Sequence, residues 1–513
     1  MHATRPEQAM RLPDFYPDAP ASVDVVESHI SWVFLAGERA FKLRKPVVFP
    51  FLDYGTPDRR RKMCEEEVRL GRRLAPDLYL GVRPLVRSDG GWALGASGDR
   101  GEEHVVEMRR FDEACTLASL VDRGEADAAL VRSVGRQVAA FHRTADPVPA
   151  GSFDAGAVAA TVSENFGTLL PYSDALGARE LAAAHRFAVA FLHARHEQLE
   201  DRATRGFVRD CHGDLRAEHV IVEGDSVEVF DPIEFDPALR RIDVSADLAF
   251  LVMDLVAAGA DDLAGTLISE YESAGGDHGG RSLLFFYAAY RAWVRAKVAC
   301  LRAGELAPAE RGKPLTDARH FAELARRLAW RARRQPVIVI CGASATGKTH
   351  LAERVAALSG LPHISSDVVR KQLAGLAPEQ RAPDSDYSED MSIRTYRELG
   401  ARAAAESGGA IVDATFRRSA HRAAFAETFG GQALFVECVA PAAVVAERAA
   451  RRELDSERVS DATAEIAARQ RAEFEPLDEV SPRAHLALRT DRPVDELLAE
   501  LEVWLDARLA PLD

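Results

Sequence analysis

A chain of 513 residues is too long for a single hydrophobic core, so two or three domains are expected. Apolar residues at 47% and charged residues at 28% are ordinary for a soluble globular protein, and a formal net charge of −15 argues against a nucleic-acid backbone as the main partner. The 6 cysteines form no C-x-x-C pair, no secretory segment opens the sequence, and no apolar run is long enough to span a bilayer; the expectation is a cytoplasmic protein in a reducing compartment, without a zinc site or membrane contact, acting on small molecules.

Residues 23–48 alternate like paired strands ("SWVFLAGERAFKLRKPV"), with Gly37 at the turn. "MCEEEVRLGRRLA" then reads as a helix and "HVVEMRRF" as a strand. Beyond Asp112 most of the chain to Trp330 has helical periodicity, broken by a strand-rich island at residues 207–235. This predicts a two-lobed α+β domain, with residues 1–112 as its first lobe and 113–335 as its mainly helical second. "ARRLAWRARRQP" ends at Pro336, whose ring disfavours helix in the residue before it, and the next domain is placed at residues 336–513. The arginines of that helix end read as a solvated face. In the last domain "VIVIC", "GGAIVDATF" and "QALFVECVA" each read as a buried strand followed by helical sequence, which predicts an α/β domain with a parallel sheet.

The first chemically informative stretch is "RDCHGDLRAEHVIVEGDSVEVFDPIEF". Asp214 is a candidate acceptor for a substrate-hydroxyl proton, and Asp231, one short hairpin further on, a candidate Mg²⁺ ligand. Lys42 on the second strand of the opening hairpin could pair phosphates, with Glu67 on the following helix to hold it; Glu65 and Glu66 are rivals for that role. Residues 107–113 would join the lobes, and Asp243 and Asp247 would support the loop of Asp214. Together these pieces resemble the aminoglycoside-phosphotransferase branch of the protein-kinase-like fold over residues 22–331. The resemblance implies Asp214 as catalytic base, Asp231 as metal ligand and Lys42 at the phosphates of ATP. Two departures stand out. Five positions after Asp214 the kinase pattern has Asn, and here stands His219; imidazole is a poor ligand for a hard cation, so either one metal site is weakened, or Glu234 supplies it, or His219 is an ordinary hydrogen-bonded residue. The opening hairpin also lacks a G-x-G-x-x-G loop.

The second stretch is "VIVICGASATGKTHLAERVAA". Between a β-branched run and a helical segment lie Gly342, Ala343, Ser344, Ala345, Thr346, Gly347, Lys348 and Thr349, a complete G-x-x-x-x-G-K-[ST] pattern. The glycines let the backbone turn N–H groups inward, Lys348 can reach the β/γ-phosphates, and the Thr349 hydroxyl can ligate Mg²⁺. Asp367 in "PHISSDVVRKQL" is a candidate base or water-mediated Mg²⁺ holder at a strand-to-helix junction, with Arg370 in the following turn. Asp413 ends the strand "AIVD" as a second metal or substrate carboxylate; capping is the structural alternative for both aspartates. "VVAERAARREL" brings Arg448 and Arg452 to one helix face, as candidate lid arginines over a transferring phosphoryl group or as a solvated face. The order of these pieces resembles the small P-loop kinases of the gluconate-kinase, zeta-toxin and polynucleotide-kinase-like branch over residues 336–513, which implies ATP–Mg²⁺ at Lys348 and Thr349, Asp367 as base, and Arg370 orienting the acceptor.

The whole chain resembles the bacterial group that fuses the two kinds of domain, called bifunctional aminoglycoside phosphotransferase/ATP-binding proteins. The leading expectation is an ATP-dependent phosphotransferase acting on a small hydroxyl-bearing metabolite, with the N-terminal half a second kinase or a regulator. The alternative is a pseudokinase sensor coupled to a P-loop ATPase switch. Resistance to a cationic antibiotic has no carboxylate cluster to identify it, and 5′-phosphorylation of nucleic acid is disfavoured by the net charge.

Overall fold

The computed structural model describes residues 5–49, 52–88, 91–96, 98–149, 151–224, 226–333, 337–377, 380, 388–406, 408–453 and 464–508, apart from the side chains of residues 88, 452, 453, 464, 466 and 467. Pro336, where the sequence places a domain boundary, and the side chain of Arg452 lie outside the described residues. By spatial contacts the chain divides into two units: Met1–Ala157 with His196–Ala292, and Val158–Arg195 with Trp293–Asp513. This grouping differs from the divisions at 112/113 and 335/336 read from the sequence, because helices from the middle of the chain cluster with the last domain.

In the first unit a six-stranded antiparallel sheet runs in the order Val23–Glu27, Ser31–Ala36, Arg39–Arg44, Glu103–Arg109, Tyr79–Ser88, Gly91–Leu94. Alternation within Arg39–Arg44 decides which side chains meet which layer. Phe41 and Leu43 pack with Met10, Tyr16, Phe34 and Leu85 on one face. Ala40 packs on the other with Cys64 and Val68 of helix Pro57–Gly71, so the period-two pleat sends Lys42 and Arg44 toward that helix as well. Thr56 caps the helix by accepting from the Arg59 N–H, with Pro57 in its first turn. The remainder is mainly helical, including Ala128–Thr144, Val244–Ala257 and Asp261–Ser273. Three short antiparallel strand pairs complete the described part of the unit: Val48–Phe49 with Leu52–Asp53, Val220–Glu223 with Ser226–Val229, and Val208–Asp210 with Arg241–Asp243.

The second unit holds a five-stranded parallel sheet in the order His363–Ser365, Ile411–Asp413, Val337–Cys341, Ala433–Val439, His485–Arg489. The central strand Val337–Cys341 is buried along its whole length and feeds both layers. Ile338 and Ile340 pack with Leu351, Val355, Leu498 and Leu501, whereas Val337, Val339 and Cys341 pack with Val369, Tyr396, Leu399 and Phe425. Such a continuous apolar run is what a sheet covered on both faces requires. Part of the expected solvated arginine face is instead committed to the last helix. Arg326 donates to Glu502 at 2.9 Å, Trp330 donates to the same carboxylate at 2.8 Å, and Arg333 pairs with Asp506 at 2.7 Å.

Candidate functional sites

Strand Val337–Cys341 ends where the chain must turn sharply into helix Lys348–Ser359, and three residues of the turn take left-handed backbone: Gly342 at φ 133°, Ala345 at φ 63° and Gly347 at φ 95°. A Cβ on Gly342 would lie 2.5 Å from the Cys438 carbonyl oxygen, so glycine is required there by space as well as by conformation. The Ser344 N–H and hydroxyl both point to the side-chain oxygen of Gln470, at 3.0 and 2.7 Å, which shows that the loop presents donors to an oxygen acceptor. Lys348 Nζ folds back to the Ala343 carbonyl at 3.0 Å, and Thr349 follows it in the first helical turn. The donor set suits a polyphosphate.

Sheet register places the acidic candidates beside this loop. Asp413 pairs with Ile340 on one side and with Ser365 on the other, so the P-loop strand, the Asp413 strand and the strand leading into Asp367 end together. Asp413 is buried, with His363 Nε2 at 3.8 Å from its Oδ2. Asp367 lies in the first turn of helix Ser366–Leu373, and Arg370, one turn further and buried, donates to Ser392 Oγ at 3.4 Å. Nearby, Tyr396 bonds Thr415 Oγ1 at 2.9 Å and accepts from the Phe416 N–H at 3.0 Å. Phe416 itself is left-handed at φ 48°, and the His421 ring stacks on Tyr396 with centroids 4.4 Å apart. Burial above all pushes the His421 imidazole down to about 4. Arg448 faces the loop through main-chain oxygens, donating to Thr346 O at 3.3 Å and Thr490 O at 2.6 Å. The Thr490 hydroxyl closes the same cluster by donating to Thr346 O at 2.5 Å. Thr490, Gln470 and His421 were not read from the sequence; each comes from a segment remote from the loop.

The second cluster lies in the first unit. Lys42 Nζ stands 3.0 Å from Glu67 Oε1 and 2.6 Å from Asp231 Oδ1. Of the three candidate glutamates the structure brings Glu67 to Lys42, while Glu66 pairs with Arg240 and Arg69, and Glu65 with Arg61. Glu234 is already engaged through one oxygen: its Oε1 accepts from Arg44 and from Tyr54, both at 2.6 Å. Burial opposes the Lys42 charge, yet Asp231 and then Glu67 raise the ammonium well above its usual range; burial likewise opposes the Asp231 charge, and Lys42 foremost holds that carboxyl low. Asp231 is left-handed at φ 61°, and its N–H donates to the Tyr79 hydroxyl at 2.9 Å. Non-glycine left-handed residues are costly and persist where the surroundings over-determine them; of the four such residues described, Ala345, Asp231 and Phe416 lie in these two clusters.

The loop bearing Asp214 is held from below by Asp247, which accepts from the N–H groups of His212 at 3.1 Å and Gly213 at 2.8 Å and bonds His142 Nε2 at 3.0 Å. Burial alone would raise that carboxyl; the bond to His142 and the nearby His212 bring it down to about 2. Asp243 acts differently from Asp247, in a two-point pair with Arg202 at 2.7 and 2.8 Å. Asp254 accepts from the Ala217 N–H at 2.9 Å, and burial raises its carboxyl to about 6. Among the described residues one cluster of metal-type donors, His142, Cys211 and Asp247, lies within 4.8 Å. The His142 and Asp247 members are already bonded to each other beneath the loop.

A family described as "AAA domain" matches residues 337–477. Over most of the chain, similarity runs to the uncharacterized proteins Rv2004c of Mycobacterium tuberculosis (strain ATCC 25618 / H37Rv) and Mb2027c of Mycobacterium bovis (strain ATCC BAA-935 / AF2122/97). Each is 34% identical over 464 residues, 87% of this chain and 89% of the relative. The chain belongs to the family of these mycobacterial proteins. Among solved structures, a gluconokinase from Sinorhizobium meliloti 1021 is 23% identical, covering 35% of this chain and 95% of its own at TM-score 0.27. A choline/ethanolamine kinase family protein from Mesorhizobium loti is 12% identical, covering 62% of this chain and 98% of its own at TM-score 0.35. No helix among the described residues is long and apolar enough to cross a membrane.

Proposed function

We propose that the protein is an ATP–Mg²⁺-dependent phosphotransferase in which residues 336–513 transfer a phosphoryl group to a small hydroxyl-bearing metabolite. The observation that carries this reading is the sheet register that ends the P-loop strand, Asp413 and the approach to Asp367 side by side. Ligands of parallel α/β sheets sit beyond the carboxyl ends of the strands. Bound ATP supplies the phosphoryl group. Lys348 and the loop N–H groups hold its phosphates, and Thr349 and Asp413 are the residues that would hold Mg²⁺. The acceptor O–H gives its proton to Asp367 as the oxygen–phosphorus bond forms and ADP leaves, with Arg370 orienting the acceptor. Arg448, bonded to the loop, steadies it, and Arg452 remains a lid candidate.

The N-terminal half is a second kinase or a regulator of kinase-like, two-lobed organisation, with Asp214 as base, Asp231 as metal ligand and Lys42, held by Glu67, at the phosphates. A pseudokinase sensor coupled to a P-loop switch is the second reading, favoured by His219 in place of Asn. The deciding experiment is Mg²⁺-dependent ATP turnover over a pool of small metabolites, comparing Lys348→Ala, Asp214→Ala and the double variant. Loss with Lys348→Ala alone makes the C-terminal domain the kinase and the N-terminal half a sensor or scaffold. Two products lost separately make both halves enzymes. Turnover indifferent to either change overturns the assignment of both sites.

A further inference from the structure

His219 stands five residues beyond Asp214, where the kinase pattern places an oxygen donor. Its surroundings assign its two ring nitrogens different tasks. Nδ1 lies 2.9 Å from the Asp214 main-chain oxygen, an atom that can only accept, so Nδ1 carries the proton. In the neutral ring the lone pair is then on Nε2, which stands 3.9 Å from Asp231 Oδ2 and 3.7 Å from Glu218 Oε1. Asp231 divides its oxygens in the same way, with Oδ1 on Lys42 and Oδ2 toward the imidazole. The His219 side chain is held rather than adrift: it is 8% exposed, its ring centroid is 5.4 Å from that of Phe230, and its carbonyl accepts from the Phe230 N–H at 3.0 Å.

A histidine that ligates a metal almost always donates its other ring N–H to a carbonyl or carboxylate, which fixes the tautomer and aims the lone pair. His219 has that arrangement. Two donors on one octahedral first-row cation, each about 2.1 Å from it, are separated by about 3 Å, so a movement of roughly 1 Å would bring Nε2 and Asp231 Oδ2 onto a shared ion. We propose that His219 Nε2 and the Asp231 carboxylate form a mixed nitrogen–oxygen site for a first-row transition-metal dication, taken in preference to Mg²⁺. This inference rests on the reading of Asp231 as a metal ligand beside a nucleotide. The preference follows from donor chemistry, since imidazole suits transition-metal dications and Mg²⁺ favours oxygen.

The test uses the full chain carrying Lys348→Ala and Thr349→Ala, so that the P-loop does not contribute, loaded with Mn²⁺ and β,γ-methylene ATP. Pulsed electron paramagnetic resonance reads whether a directly bound imidazole nitrogen modulates the Mn²⁺ signal. The expected result is such a coupling, absent when His219→Asn is added, with the Mn²⁺-to-Mg²⁺ affinity ratio falling by about tenfold or more. Mn²⁺–nucleotide binding without nitrogen coupling overturns the role of His219 and leaves the nucleotide reading standing, and coupling that survives His219→Asn overturns it equally. If no Mn²⁺–nucleotide binds, the reading of the N-terminal nucleotide site fails and this inference falls with it. Because the first spectrum needs no substitution at position 219, the outcome does not depend on whether that variant folds.

Discussion

The two clusters solve the problem of holding charge by opposite means. The loop after Val337–Cys341 is a run of neighbouring residues whose polar groups are largely main-chain, whereas Lys42 reaches Glu67 across 25 positions and Asp231 across 189. Backbone donors are fixed by the turn that carries them, and side-chain substitutions touch them little unless the turn itself is changed. The Lys42 cluster exists only when sheet, helix and hairpin are all in place. It should therefore fail by loss of a partner, while the loop should fail by loss of conformational freedom.

Replacing Glu67 with alanine is expected to give the largest effect. It removes a carboxylate shared by Arg44 and Lys42, leaving Arg44 with Glu234 and Lys42 with Asp231, and loss of a buried partner costs about 3–5 kcal/mol. Chemical denaturation followed by a probe in the N-terminal unit would show it, and a loss under 1 kcal/mol would mean that the cluster behaves as a surface pair. Gly342→Ala tests the other side of the comparison. Left-handed strain of about 1–3 kcal/mol is joined by the close approach to the Cys438 carbonyl, so reduced stability and lost nucleotide binding should appear together.

Acid separates the two regions next. Asp247 falls from the ordinary aspartate value of 3.8 to about 2, so its contribution, roughly 2 kcal/mol, is complete above pH 4 and is lost as pH falls through about 2. Asp247→Asn should flatten that limb of the stability profile. An effect of similar size concerns His421, taken from 6.5 to about 4, where the Glu389 carboxylate offsets part of the cost of burial. The folded state favours the neutral ring, so the C-terminal unit keeps this contribution above pH 6.5 and loses it as pH falls from there to about 4, with a difference of roughly 2 kcal/mol between pH 7 and pH 5. His421→Phe should remove the dependence, as read from thermal unfolding at pH 7 and pH 5.

How much of this was legible in the sequence follows from the same contrast. The P-loop needed no tertiary information, because its chemistry is written in contiguous residues with a strand before and a helix after. Glu67 is the first choice for Lys42 but keeps Glu65 and Glu66 as rivals, since deciding among them requires the direction in which helix Pro57–Gly71 meets the sheet. Strands Tyr79–Ser88 and His485–Arg489 were not read at all. The first contains Gly81 and Pro84 and the second is only 5 residues long, so neither offers a clean alternation. Glu234 looked available as a metal ligand because its partners Arg44 and Tyr54 are 190 and 180 positions away. Arg326 and Arg333 misled for a like reason, their acidic partners lying in the final helix.

One contact on the loop has a consequence for occupancy. The amide oxygen of Gln470 sits on the N–H and hydroxyl of Ser344, so an incoming anion that needs those donors competes with a group tethered to the same chain. Affinity measured from outside is then the intrinsic affinity scaled by the fraction of molecules in which the amide has swung away. Shortening the side chain by Gln470→Ala should tighten nucleotide binding rather than weaken it, the reverse of what losing a ligand contact would do. At Ser344 the loop's donors are in this sense already occupied, and the position of the Gln470 side chain sets how readily they become free.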